Sequence, residues 1–311
     1  MPHRPLRRVS TVGALLMAPA LLIGAPATAQ PTTVATKVNR TTTLGGAVRT
    51  VDVAGSPIGF TAPATRRAGI TTFQVSTTDP AGIRLGLFRL RGGVPLDRFL
   101  SHLRTALTGE RADAVAAGRM VSREAVMLGG VATEPGRPAA FTQVLRPGRY
   151  HLIDYEDIED GGPARPLAVH PLTVTDSIEH DVPARPDSLV RMIQTPAGPR
   201  FHAPRTLRAD ASVLVSNLTG QLDEAVFVPV RAGTTAADVQ RFFEAVDRGE
   251  WPLDQPFVGV PHGLPVIAPG HSAVVRPGLA PGPYALVSWV ADLENGAGRA
   301  AQGMHALVTV V

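Results

Sequence analysis

The stretch Leu145-Arg-Pro-Gly-Arg-Tyr150 has a counterpart in Leu279-Ala-Pro-Gly-Pro-Tyr284. Each is a Pro-Gly turn that leads a tyrosine into a short apolar run, YHLIDY in one case and YALVSWV in the other. Pro-Gly pairs punctuate a chain between regular elements, and short apolar runs bounded by such turns read as strands. The features upstream match in the same order. Phe60-Thr-Ala-Pro63 pairs with Phe201-His-Ala-Pro204, Arg67-Ala-Gly69 with Arg208-Ala-Asp210, Gly92-Gly93 with Ala232-Gly233, and Pro135-Gly136 with Pro269-Gly270. The offset is 141 residues at the phenylalanines and 134 at the tyrosines. Solenoid repeats run to about 20–50 residues, so a period near 140 implies a duplicated domain.

Between these markers the pattern is that of a β protein with helical insertions. In the first copy Ile70–Ser76 and Arg84–Leu90 read as strands. Leu96, Phe99, Leu100, Leu103 and Leu107 then form the one-sided stripe of a helix. Ala112–Ala117 either extends that helix or forms a second turn. Gly129-Gly-Val131 and Pro135-Gly136 read as turns before strands at Ala139–Leu145, Tyr150–Tyr155 and Leu167–Val174. In the second copy Ser212–Ser216 and Val226–Val230 read as strands. Thr234 or Thr235 caps a helix whose stripe is Ala236, Val239, Phe242, Phe243 and Val246, with Asp238 in the first turn. Strands at Tyr284–Val290 and Ala306–Val311 complete it. Gly and Pro, 60 of 311 residues, fall between the short apolar runs.

The N-terminus reads as an export signal. Arg4, Arg7 and Arg8 precede an apolar run at Val12–Ala25, and Ala27-Thr28-Ala29 is a small-x-small cleavage site, so the mature chain is expected to begin near Gln30. That run is shorter than the roughly 20 apolar residues a membrane span needs. The expected divisions are signal peptide 1–29, leader 30–55 with an edge strand at Ala47–Val53, first domain 56–175, connector 176–192 and second domain 193–311. The expected location is extracellular, with no membrane span after cleavage.

The chain has no cysteine. An exported chain of this kind is held by core burial alone, and every thiolate mechanism is removed. Without the three arginines of the signal, 27 basic side chains face 26 acidic ones. Lys37 is the only lysine. There is no basic stripe with interleaved aromatics, which argues against nucleic acid as a partner.

The end of the second copy carries a family resemblance. Tyr284-Ala-Leu-Val-Ser-Trp-Val, then Asn295-Gly296, Arg299 and Gly303-Met304 before a final strand, resembles the C-terminal half of a plastocyanin-like cupredoxin domain of the exported bacterial type. The resemblance implies an all-β fold of two tandem cupredoxin-like Greek-key β-sandwiches, each with an inserted α-helix. In that family the strand after the tyrosine carries a copper-binding cysteine, a histidine follows in the next loop, and a methionine precedes the last strand. A first histidine lies on an earlier strand.

Carried across, the four ligand positions fall on Asp223, Ser288, Arg299 and Met304 in the second copy, and on Ile83, Asp154, Ala164 and Val169 in the first. A blue-copper ion needs two imidazoles and a thiolate with a weak axial methionine. Neither set meets that need, so no cofactor is expected. If Arg299 pairs with Asp223, the old site has become a structural ion pair.

Other chemistry is thinner. His262, His271 and His305 are candidates for an adventitious metal site, with plain loop histidines as the ordinary reading. Asp154, Glu156, Asp157, Glu159 and Asp160 form an acidic cluster without EF-hand spacing. Asp154 and Ser288 either line a polar remnant pocket, or Ser288 is a small core residue and Asp154 pairs with an arginine. Trp289 reads as core, and Trp251 as an exposed anchor or as packing under the helix. No nucleophile elbow, P-loop or zinc-protease motif is present. The function expected is a non-catalytic exported binding or structural protein with an extracellular protein or small-molecule ligand. A copper or redox protein with non-standard ligands is the alternative, and a hydrolase with an inter-domain site a weaker one.

Overall fold

The computed structural model describes residues 49–159, 169–176 and 185–311. The signal peptide, residues 30–48 of the leader, Asp160, Ala164 and residues 177–184 of the connector lie outside these residues. Among the described residues the first half of the chain supplies nine strands: β1 (Arg49–Ser56), β2 (Gly59–Thr61), β3 (Thr65–Arg67), β4 (Gly69–Thr77), β5 (Ile83–Leu90), β6 (Ala125–Thr133), β7 (Ala139–Leu145), β8 (Gly148–Asp154) and β9 (Val169–Thr175). Helices α1 (Leu96–Thr108) and α2 (Arg111–Glu124) lie between β5 and β6, and a single turn, α3 (Glu156–Glu159), follows β8.

The second half supplies β10 (Ser188–Thr195), β11 (Gly198–His202), β12 (Thr206–Leu207), β13 (Val213–Asn217), β14 (Asp223–Pro229), helix α4 (Ala236–Asp247), β15 (His262–Ile267), β16 (Ser272–Arg276), β17 (Gly282–Val287) and β18 (His305–Val310).

These strands form two sheets, and the all-β expectation holds. One sheet runs β11-β10-β13-β16-β7-β4-β1-β2; the other runs β12-β18-β17-β14-β15-β6-β5-β8-β9-β3. Each order is a palindrome under the exchange of β1–β9 with β10–β18. The pairings match in sense as well. β1 runs parallel to β4 as β10 does to β13, and β3 parallel to β9 as β12 does to β18. At the centre like pairs with like: β7 with β16 and β6 with β15, both antiparallel. The two sandwiches are therefore continuous with each other, because both sheets cross from one half to the other.

The paired motif that opens each late strand has a structural reason. The Tyr150 hydroxyl takes the N–H of Arg146 at 3.1 Å and gives its proton to the Arg146 carbonyl at 2.9 Å. Tyr284 does the same with Ala280, at 3.1 Å for both contacts. The tyrosine thus pins the turn that precedes it. Gly148 and Gly282 sit at φ 145° and 149°, a region that favours glycine, which explains the glycine in each Pro-Gly turn.

The core between the sheets is apolar. Phe73 and Phe141 stack at 4.5 Å within a buried cluster that also holds Leu85, Leu152, Val213, Phe227 and Leu286. Helices cover the outer face of the larger sheet. Phe99, Leu103 and Val121 of α1 and α2 pack on Phe88 and Met127, while Val239, Phe242 and Phe243 of α4 pack on Val226, Val228 and Val287. Thr235 caps α4 through a capping box with Asp238.

Several local expectations change. β1 is an inner strand, between β2 and β4, where an edge strand was expected. Ala112–Ala117 belongs to a separate helix, α2, so the first half carries two inserted helices. Gly129-Gly130, expected as a turn, lies inside β6, where a register shift on β5 between Gly86 and Phe88 absorbs the irregularity. β10 begins at Ser188, within the stretch read as connector.

Candidate functional site

The start of β14 and the end of β17 lie side by side at one end of the second half. Alternation along β17 sends Tyr284 and Leu286 inward, and the same period carries Ser288 inward just beyond the strand. Asp223 opens β14 on the inner side, two residues before Ala225. The loop from Val290 to Met304 folds back over this end. Its backbone is fixed by Arg299 N–H to Val290 O at 2.9 Å, Ala300 N–H to Ser288 O at 3.1 Å and Met304 N–H to Arg299 O at 2.9 Å. The four positions named from the sequence are thereby brought together, and all four are buried.

Arg299 holds Asp223 in two hydrogen bonds, Nε to Oδ1 at 3.2 Å and Nη2 to Oδ2 at 3.0 Å. The Ser288 hydroxyl donates to Asp223 Oδ1 at 3.1 Å, and the Thr219 hydroxyl lies 2.7 Å from Oδ2. The third arm of the guanidinium reaches Asp292 Oδ2 and Gln194 Oε1, both at 3.5 Å. Asn217 steadies the loop below, with Nδ2 donating to the carbonyls of Gln221 and Ile267 at 2.8 and 2.9 Å. Burial pushes the Asp223 carboxyl up, and Arg299 with the Thr219 and Ser288 hydroxyls opposes that push. Arginine does not give up its proton in proteins, so a carboxylate gripped at two points by it is held ionised.

In the first half the equivalent positions are filled differently. Asp154, Ser288's counterpart, accepts the backbone N–H of Arg84 at 3.0 Å and of Glu156 at 3.1 Å. Its side chain thus bonds to backbone, and the Arg84 guanidinium pairs with Glu156; the expected Asp154–arginine pair is corrected accordingly. Ile83 is buried in the core. Val169 pairs with Ile153, as His305 pairs with Val287. Val169 is therefore the counterpart of His305, and position 168, outside the described residues, is the counterpart of Met304. A one-residue slip moves a strand position to the opposite face, so Val169 is not aimed into this end.

A blue-copper ion does not fit the donors present. The thiolate position holds a serine hydroxyl, already donating to Asp223, and one imidazole position holds a guanidinium with no lone pair to offer. The other imidazole position is Asp223, whose two oxygens are engaged by Arg299. Of the four positions, Met304 alone carries the residue that the resemblance implies, and a thioether is the weak ligand of such a site.

The histidines do not gather. His262 is 2% exposed and buried at the start of β15, near Glu134 at 3.6 Å. It is not the solvated loop histidine that was the ordinary reading. His271 bonds the carbonyl of Pro269, and His305 bonds Gln240 Oε1 at 2.7 Å. Among the described residues no group of three His, Cys, Asp or Glu side chains is placed to hold a metal ion. Trp289 packs edge-on against Phe243 at 4.6 Å, as core. Trp251 lies edge-on to Phe242 at 5.5 Å and keeps 37% of its surface exposed. Among the described residues no helix is long and apolar enough to cross a membrane.

Sequence reasoning passed over Thr219, Asn217, Gln194 and Asp292, and also the buried pair of positions Arg84 and Glu224. The only signal for the last two is a charge set inside an otherwise apolar strand, in IRLGLFRL and DEAVFVP.

No protein-family model matches the sequence, and no curated protein matches it. Among solved structures the chain is similar to auracyanin B, with 21% identity over 42% of this chain and 93% of that one, at a TM-score of 0.24. It is similar to a copper nitrite reductase from Nitrosomonas europaea, with 11% identity over 84% and 93% and a TM-score of 0.23. It is also similar to a mutant plastocyanin of a fern, with 18% identity over 41% and 100% and a TM-score of 0.21. Likeness at these TM-scores carries over no residue and no activity. The β-sandwich rests on the strand pairing described above.

Proposed function

We propose that this chain is an exported, non-catalytic binding or structural protein, built on a duplicated cupredoxin-like sandwich in which the copper positions have become part of the frame. One observation carries the reading: Arg299 grips Asp223 at two points where the family would place a metal ion. A guanidinium there supplies charge balance that a cation would otherwise supply. It also ties the loop over the sandwich end to β14, a structural task. The palindromic sheet orders support duplication, because strand-for-strand repetition of both parallel and antiparallel pairings follows simply from one unit used twice.

Copper loading tests the reading. After incubation with Cu(II) and desalting, the purified chain is expected to retain no stoichiometric copper and to show no intense visible thiolate-to-copper absorption. Tight one-to-one copper would overturn it in favour of a metal protein with non-standard ligands. Export is tested separately by N-terminal sequencing of protein from the medium. A start near Gln30 is expected, and a start at Met1 contradicts it.

A further inference from the structure

Each strand of the first half has a counterpart in the second, but helix α2 has none: the second half runs from α4 to β15 through residues 248–261, which form no helix. The extra helix uses two faces. Ala117 and Val121 pack on its own half, in the cluster with Phe88 and Met127. Arg111, Val115, Gly118 and Arg119 have the i, i+4, i+7, i+8 spacing of a second face. That face meets a hairpin of the other half.

The hairpin runs from Ala291 to Gly298, which pair with each other at its base. Asp292 N–H to Ala297 O at 2.7 Å and Gly296 N–H to Asp292 O at 2.8 Å close its turn. On one side it belongs to the buried network: Asp292 Oδ2 accepts from Arg299 at 3.5 Å and from Gln302 Nε2 at 3.2 Å. The other side is taken by α2. Arg119 donates to the Leu293 carbonyl at 2.5 Å and to the Glu294 carbonyl at 3.2 Å. Arg111 Nη1 donates to the Gly296 carbonyl at 3.2 Å and to Asp247 Oδ1 at 3.1 Å, and its Nη2 donates to the Asp247 carbonyl at the end of α4. Asp247 Oδ1 also accepts the Gly298 N–H at 2.8 Å. The fit is close as well as polar. A β carbon on Gly118 would fall 2.8 Å from Leu293 Cδ2, and one on Gly296 would lie 3.3 Å from Arg111 Cγ and Val115 Cγ2.

The two sides of the hairpin differ in what it takes to break them. Arg299 and Asp223 are shut off from water, whereas Arg111 keeps 44% of its side chain exposed and the Arg119 contacts lie at the surface. Exposed hydrogen bonds with little apolar burial open locally, at less cost than the sheets beneath them. We propose that α2 is a latch: it keeps hairpin 291–298 closed as a lid over the Asp223–Arg299 end of the second half, and that end opens when α2 lets the hairpin go, with the sheets intact. The two halves are thereby coupled through the latch as well as through their shared sheets, and access to the end from this side requires its release.

Amide hydrogen exchange on the full chain tests the latch. In R111A/R119A the amides of 291–298 are expected to exchange about tenfold faster than in the wild type, while those of β15 and β16 keep their rates. Unchanged exchange in the hairpin overturns the proposal, and so does an equal acceleration in hairpin and strands, which would report general loosening. Should that variant fail to fold, G118C/L293C carries the test, since the chain has no cysteine of its own. Closing the cross-link between α2 and the hairpin is expected to slow exchange in 291–298 relative to the reduced form. Equal rates in the two forms would mean that the hairpin opens without leaving α2, and would contradict the latch.

Discussion

Arg299 and Asp223 are 3% and 0% exposed at their side chains, and their closest atoms are 3.0 Å apart. Taking two such charges out of water costs several kcal/mol per ion, and the attraction between them repays it only when the geometry is good and the remaining polar atoms are satisfied. Here Ser288, Thr219, Gln194 and Asp292 supply those further contacts. The pair therefore holds a specific arrangement of strand end and loop. Its removal as a unit and its removal by halves have very different consequences, which makes its role measurable.

The packing of Tyr155 on β5 depends on Gly86 having no side chain. Gly86→Val would drive a branched side chain into the Tyr155 ring, and overpacking of this kind costs about 1–3 kcal/mol. Urea unfolding is expected to show that loss. Tyr155→Phe is the informative companion. Its hydroxyl has no partner among the described residues, so deleting it removes a desolvation cost and is expected not to lower the urea midpoint.

Helix α4 begins at a capping box. The Thr235 hydroxyl accepts the Asp238 N–H at 3.2 Å, and Asp238 Oδ2 accepts the Thr235 N–H at 2.8 Å. Thr235→Ala is expected to cost about 1 kcal/mol in chemical denaturation. Asp238→Asn keeps an acceptor but removes charge from the helix N-terminus, and a smaller loss is expected.

His262 gives the acid limb of stability a definite source. Burial lowers its pKa below the ordinary imidazole value, Glu134 opposing and Arg137 adding to the shift. The unfolded chain then takes up a proton that the fold resists, so this contribution is present above about pH 6.5 and is lost as pH falls. His262→Gln is expected to flatten the fall in the urea midpoint below about pH 6.5. An unchanged acid limb would show that other groups carry it.

Much of the frame was legible in the sequence, and for identifiable reasons. The Pro-Gly-x-Tyr turns declared themselves because a tyrosine hydroxyl that bonds its own i−4 backbone needs that order of residues. The stripes Leu96–Leu107 and Ala236–Val246 gave α1 and α4, since burial of one face leaves a period in the sequence. The four positions around Asp223 could be named because the tail of the chain resembles a known pattern. β6 was missed because Gly129 and Gly130 look like a turn, whereas here they lie within a strand that crosses the centre of the sheet. The fusion of the two halves was not legible at all: β6 pairing with β15 is set by packing across more than a hundred residues, and neither strand alone reveals its partner. The approach of Arg84 to Glu224 was hidden for a related reason: the two lie on β5 and β14, in different halves of the sequence, and only the folded chain brings them near each other.

The most direct test of the Asp223–Arg299 frame is a double-mutant cycle on urea unfolding, using D223L, R299M and D223L/R299M. Each single change leaves a buried charge without its partner and is expected to cost about 3–5 kcal/mol, while the double change recovers most of that loss. The exposed Arg231–Asp254 pair, at 2.6 Å, is the control, and a coupling below about 1 kcal/mol is expected there. Strong coupling at Arg299 and Asp223 beside weak coupling at the control would establish the pair as a structural device. Two single losses that simply add in the double variant would contradict it.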